Sequence, residues 1–172
     1  MKVYSSDKIR NIVLLGHGGV GKTTVAEAMA FASGAITRRG SVNDGNTISD
    51  FDAEETKRHF SVNTSILPIE WEEYKINILD TPGYFDFVGE VEEALRAAEG
   101  AVIVVSAKSG VQVGTELAWE KAEAAGLPRF IFVNGMDEEG ANLVKVLEDL
   151  QSTFGKAIAP FQVPIKENGK FV

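Results

Sequence analysis

The chain has 172 residues, 44% of them apolar, no cysteine and a formal net charge of −8. That length is one domain's worth of sequence with a substantial core, and the missing cysteines exclude disulfides, thiolate metal sites and a cysteine nucleophile. The acidic balance argues against wrapping nucleic acid, which needs clustered lysine and arginine, and no stretch approaches the length of a membrane span.

Residues 1–7 lack the apolar core of a signal peptide, so a cytoplasmic location is the expectation. Residues 9–15 form a short, nearly continuous apolar run, the pattern of a strand buried on both faces of a parallel sheet. It leads into Gly16-His17-Gly18-Gly19-Val20-Gly21-Lys22-Thr23, and Thr24 then opens a helix that runs to about Gly34, a left-handed cap. A strand, G-x-x-x-x-G-K-[ST] and a helix, in that order, are the setting in which this motif binds phosphate. Its glycines let the backbone curl until successive N–H groups converge on an anion, and the helix N-terminus adds partial positive charge. Lys22 supplies a full charge at the β- and γ-phosphates. Thr23 presents a hydroxyl to Mg²⁺. The candidate ligand-binding residues of this stretch are thus Gly16 to Thr24 without a gap.

From residue 35 to about residue 60 the chain is rich in glycine, serine, asparagine and charge, with no sustained period. Such long connections inside a domain are usually functional or disordered. Residues 62–71 and 74–79, separated by Glu72-Glu73, read as two strands joined by a tight turn. Asp80-Thr81-Pro82-Gly83 stops the second, on the carboxyl edge where open α/β sheets bind ligands. A carboxylate there reaches Mg²⁺, usually through a water, and the Gly83 N–H can approach a γ-phosphate because no side chain obstructs it.

A helix over 88–99 comes next, with Val91, Ala94, Leu95 and Ala98 on one face and Gly100 as its cap. Then come a strand at 101–105, a helix at 115–125 ended by Gly126-Leu127-Pro128, a strand at 130–133 and a helix at 139–154 stopped by Gly155. This alternation predicts an α/β, P-loop NTPase three-layer fold: a mostly parallel sheet with helices on both faces. Asn134-Gly135-Met136-Asp137 ends the last strand. Asp137 can accept two hydrogen bonds from the N1–H and N2–H₂ edge of guanine, which adenine cannot offer. At roughly 1.5–3 kcal/mol each, such bonds are enough to decide GTP over ATP.

These three stations, in this order, are the GTPase set. Asp80-Thr81-Pro82-Gly83-Tyr84-Phe85-Asp86-Phe87 resembles the D-T-P-G-H-x-D-F of translational GTPases. The strand at 101–105 followed by Gly110-Val111-Gln112-Val113, and Pro160-Phe161-Gln162-Val163-Pro164-Ile165, are similar to the corresponding strand, G-V-Q turn and P-F-Q-L-P-I of elongation factor G. The resemblance spans essentially the whole chain. It implies a GTP-hydrolysing switch with GTP/GDP and Mg²⁺ as ligands, acting as a monomer on the ribosome through the full-length protein.

It also implies an organisation. Residues 1–172 would be a GTP-binding domain incomplete at its C-terminus, with 35–61 a mobile switch loop and 157–172 the start of a connection to an inserted subdomain. The family's last guanine-contacting motif lies further on; Ser106-Ala107-Lys108 imitates it but precedes Asn134 and is assigned no role. Carried over residue by residue, the resemblance gives Thr23, Ser61 and Asp80 to the metal. It gives Lys22, Gly83 and Tyr84 to catalysis, and Gly16 to Thr24, Asp80, Thr81, Pro82, Gly83, Tyr84, Asn134, Gly135, Met136 and Asp137 to the nucleotide.

Three departures stand out. Tyr84 occupies the place of the family's catalytic histidine, and a phenol with a pKa of about 10 is a poor base near neutrality. Gly135 replaces the lysine of N-K-x-D, removing a stem that would lie across the purine and weakening binding by roughly 1–2 kcal/mol. The family's R-G-I-T is Arg58-His59-Phe60-Ser61, in which Ser61 keeps the hydroxyl. Tyr84 and the altered loop favour an elongation factor G-like paralogue over the principal translocase. Two rivals are a MinD/ParA-type ATPase, whose loop-opening lysine is His17 here, and a catalytically weak GTP-binding module that signals through shape. His17 reads as structural, His59 as a solvated loop residue, Trp119 as packing surface, and Glu90, Glu92 and Glu93 as the wet face of their helix.

Overall fold

Side-chain alternation decides which layer each strand residue joins. In β1 (Ile9–Leu15), Val13 and Leu15 point to one face and Leu14 to the other, and all three are buried. The computed structural model describes residues 2–167 and 170–171. A five-stranded sheet runs in the order β2 (Ser65–Trp71), β3 (Tyr74–Asp80), β1, β4 (Gly100–Ser106), β5 (Arg129–Asn134). All neighbours are parallel except the β2–β3 hairpin. Helix α1 (Lys22–Ala32) covers one face with Ala26 and Ala30 against Leu14, Leu67, Ile69 and Ile78.

Helices α3 (Val88–Ala97), α4 (Val113–Ala124) and α5 (Leu143–Phe154) cover the other face. There Ala94, Leu95, Ala118, Ala122, Val146 and Leu150 pack on Val13, Leu15, Leu79, Ile103 and Val105. Each large aliphatic residue so buried contributes about 1.5–3 kcal/mol. The expected three-layer α/β architecture is the observed one. Among the described residues no helix is long and apolar enough to cross a membrane.

Several boundaries differ from expectation for local reasons. Gly100 is not the cap of α3 but the first residue of β4; the helix has already ended, and Glu99 donates its N–H to Asn11 O at 2.8 Å, running beside β1. Strand β2 starts at Ser65, because the N–H groups of Val62 and Asn63 go to Glu55 at 2.9 Å each and that of Thr64 goes to Glu90 at 2.7 Å. Glu90 is therefore a structural acceptor, not simply part of a wet helix face. Helix α4 begins at Val113, set by a capping box between Gln112 and Thr115. Helix α5 begins at Leu143, since Asn142 accepts from Lys145 N and caps it.

The stretch at 35–60, read as lacking regular structure, contains the helix α2 (Ala53–Arg58). Asp52 accepts from Glu54 N at 2.8 Å while Glu55 accepts from Asp52 N at 3.2 Å, closing a capping box. The tail carries two two-residue strands, β6 (Lys166–Glu167) and β7 (Lys170–Phe171). Residues 168, 169 and 172 of the expected connection at 157–172 lie outside the described residues.

Candidate functional site

Order reverses across β1: β3 lies on one side and β4 on the other, so a crevice opens at the carboxyl ends of these strands. The turn between β1 and α1 fills its floor. Gly19 and Gly21 take left-handed φ of 81° and 91°, which curls the loop between β1 and α1. Gly21 has no room for a side chain either, since a Cβ there would lie 2.3 Å from Asn134 Nδ2. Asn134 itself donates to Val20 O at 2.9 Å, so it ties the loop after β5 to the loop after β1.

Lys22 opens α1 and is only 6% exposed. Its ammonium donates to the carbonyls of Gly16 and His17, both at 3.1 Å, and so lies inside the curl of its own loop. Burial pulls its pKa down to about 8, with Asp80 and Asp50 pulling the other way. An arriving anion would supply the counter-charge that this desolvated cation lacks.

Asp80 ends β3 at 1% exposure, and neither carboxylate oxygen has a hydrogen-bond partner. Burial pushes its pKa up to about 6, although the hydroxyls of Thr23 and Ser49 and the Lys22 ammonium oppose the rise. The hydroxyls lie near enough to lower the pKa, yet neither completes a bond of ordinary geometry, so the carboxylate counts as unpaired. Nearby, Thr23 Oγ1 and Ser61 Oγ approach to 3.1 Å, and Ser61 donates to Asp50 Oδ1 at 2.7 Å. Asp50 is 5% exposed, its Oδ2 is unpaired and burial raises its pKa. Two carboxylates with orphaned buried oxygens and two hydroxyls make a hard oxygen donor set that suits Mg²⁺.

A cavity of about 740 Å³ lies above these groups, lined by residues 18–24, 39–43, 59–61, Gly83, Tyr84, Asp50, Asn134, Gly135, Asp137 and Glu138, with Ser106, Lys108, Ser109 and Gln112 on a further wall. The three sequence stations thus converge on one space. Gly83 approaches so closely that a Cβ would lie 2.4 Å from Lys22 Nζ and 2.8 Å from Gly18 N. The Tyr84 ring covers Gly18, where a Cβ would meet it at 3.2 Å, and tilts against Phe60 with centroids 4.7 Å apart. Gly135 takes a φ of 75°, and a Cβ there would meet Glu138 Oε1 at 2.7 Å.

Some sequence-chosen residues sit elsewhere. Gly16, His17, Asp80, Thr81 and Pro82 do not line the cavity. Thr81 spends its hydroxyl on Leu14 O at 2.6 Å, fixing the D-T-P-G turn to β1. Met136 lines a different, apolar cavity against Leu143, Leu147 and Phe161. His17 is packed beneath Gly114, with a buried Nδ1 that has no partner. The residue that sequence reasoning missed is Asp50: it sits in a polar loop with no period and no motif, and only the fold brings it to Ser61. Lys108, assigned no role, stands on the cavity wall.

Fold and loops together define a P-loop nucleotide-binding domain of the GTPase class. The family model for the elongation factor Tu GTP binding domain matches residues 7–168, and the chain belongs to that family. It is 43% identical over 168 residues to the mitochondrial ribosome-releasing factor 2 of Anopheles gambiae, covering 98% of this chain and 23% of that protein. It is 39% identical over 163 residues to elongation factor G 2 of Borreliella afzelii (strain PKo), covering 95% and 24%. A crystal structure of a Thermus thermophilus protein superposes with a TM-score of 0.90 at 45% identity, covering 96% of this chain and 25% of that one. The chain spans about a quarter of the length of these relatives. The resemblance to elongation factor G-like translation factors stands, and the MinD/ParA-type rival falls.

Proposed function

We propose that this chain is the GTP-binding and GTP-hydrolysing switch domain of an elongation factor G-like protein that acts on the ribosome. One observation carries the reading: a phosphate loop, a D-T-P-G turn and an Asn-Gly-Met-Asp turn meet around a single cavity whose floor holds a buried lysine. The loop amides and Lys22 hold the phosphates. Asp137 reads the guanine edge, with Asn134 bracing the two loops against each other.

Thr23, Ser61, Asp80 and Asp50 would hold Mg²⁺, which when bound neutralises phosphate charge. Ser61 and Gly83 sense the γ-phosphate, Ser61 through the switch loop and Gly83 through its amide. The Tyr84 hydroxyl orients the attacking water without abstracting its proton, so catalysis is by positioning and charge stabilisation. Intrinsic hydrolysis is then slow, on the order of 10⁻⁴ per second for this chemistry, and depends on the partner. Tyr84 and the altered loop Arg58-His59-Phe60-Ser61 support a paralogue of elongation factor G over the principal translocase.

Parallel titrations with GDP and ADP in Mg²⁺ test the base assignment. GDP should bind at micromolar affinity or better, and ADP at least about 100-fold more weakly. Equal or tighter ADP binding would refute it. Gly83→Ala tests the close approach. Its new Cβ meets backbone as well as Lys22, so the turn must back away, and affinity for a GTP analogue should drop about tenfold or more. Unchanged affinity in isothermal titration would remove Gly83 from the site.

A further inference from the structure

Helix α1 begins with Lys22 and Thr23 and, just over one turn later, carries Glu27, a carboxylate that the nucleotide reading does not use. Glu27 is fully buried. Its two oxygens accept from backbone amides of the distant switch loop: Oε2 from Gly40 N at 2.8 Å, and Oε1 from Ile48 N. The segment between those grips closes on itself. Asp44 N donates to Ser41 O and Gly45 N to Val42 O, both at 3.1 Å, while Ser41 N donates to Asn46 Oδ1 at 2.8 Å. Gly40 has no room for a side chain, since a Cβ would lie 2.5 Å from Asn46 O. Residues 40–48 are thus a small folded unit attached at both ends to one side chain.

Beyond Ile48 the chain runs to the phosphate end of the cavity. Ser49 O accepts from Ser65 Oγ at 2.6 Å, Asp50 N donates to Thr47 Oγ1 at 3.2 Å, and Asp50 Oδ1 holds Ser61 beside Thr23. A carboxylate buried without donors is strongly unfavourable. The loop therefore cannot leave α1 unless Glu27 is solvated or re-paired.

We propose that Glu27 is the positioning residue of the switch loop. By clamping Gly40 and Ile48 to the helix that carries Lys22 and Thr23, it sets where Asp50 and Ser61 stand. This rests on the reading of that loop as the sensor of the γ-phosphate. Its effect falls on the triphosphate state and on loop exposure, and leaves the diphosphate grip of the P-loop alone.

The test compares the 172-residue chain with Glu27→Gln and Glu27→Ala in two measurements. One is affinity in Mg²⁺ for fluorescent GDP and for a non-hydrolysable GTP analogue. The other is the rate of tryptic cleavage after the exposed Arg38 and Arg39. Glu27→Gln keeps the shape but turns an amide NH₂ toward one backbone donor, so it breaks one of the two bonds.

Expected are GDP affinity within about twofold of wild type, GTP-analogue affinity about tenfold weaker in Glu27→Ala and less so in Glu27→Gln, and cleavage about tenfold faster in the same order. Wild-type cleavage rates with an unchanged ratio of triphosphate to diphosphate affinity overturn the proposal. So does equal loss of both nucleotides in both variants, which would make Glu27 a support of the whole domain. A wild type that binds neither nucleotide sinks the reading of the site instead; the cleavage rates alone then decide for or against the clamp.

Discussion

Lys22→Ala should abolish nucleotide binding, weakening GDP by at least about 10³-fold. The ammonium is buried within its own loop, 3.1 Å from two carbonyls, at the floor of the cavity. At contact distance and an effective dielectric constant of about 20, a single charge pair is worth about 4 kcal/mol, which is roughly a thousandfold in affinity. Arg39 and Lys108 also line the cavity, but both are exposed and contribute little to a screened phosphate.

The fold should survive the change. Burial holds the Lys22 pKa well below its ordinary value, so the native state carries a desolvation cost that the variant no longer bears. That relief offsets the two lost hydrogen bonds, and the unfolding midpoint should move by no more than about 4 °C. Micromolar GDP binding by a folded Lys22→Ala variant would contradict the assignment.

Asp137→Ala should collapse base selectivity, lowering the ratio of GDP to ADP affinity by about 10²-fold or more. Its carboxylate is exposed on the turn after β5 and lines the cavity wall with Asn134 and Gly135. Two charge-assisted hydrogen bonds at roughly 1.5–3 kcal/mol each would be lost for guanine, and none for adenine. ADP affinity should therefore stay put while GDP falls. Side-by-side competition titrations read this directly, and a parallel fall for both nucleotides would mean that Asp137 supports the loop instead of reading the base. Glu138 gives the comparison an internal control: it sits one residue on and folds back over Gly135. Glu138→Ala should leave the ratio within about threefold.

The phosphate loop, the D-T-P-G turn and the Asn-Gly-Met-Asp turn were legible in the sequence because each is a short run whose chemistry depends on its own backbone. Glycines that must take positive φ, a lysine one residue after them and a helix that starts at once are encoded within eight positions. Strands β1 and β4 were legible for a similar reason: the continuous apolar runs at 12–15 and 101–105 have few other ways to be buried. Helix α2 was readable in principle from Asp52 and Glu55, three apart, but it lies in polar sequence without a periodic apolar face. The starts of α4 and α5 moved because Gln112 and Asn142 cap them, and caps compete with propensity at every helix end.

What the sequence determined by itself is therefore the inventory of the three motif loops and the alternation that stacks them on one edge of a parallel sheet. The tertiary structure alone decided how the loop between α1 and β2 connects to them. Glu27 meets Gly40 and Ile48, Asp50 meets Ser61, and Ser61 meets Thr23, at separations of 11 to 38 residues. Contacts of that kind leave no periodic or motif signature. They join backbone donors and side chains whose partnership exists only once α1, β2 and β3 have packed, when a buried carboxylate has no remaining water to take their place.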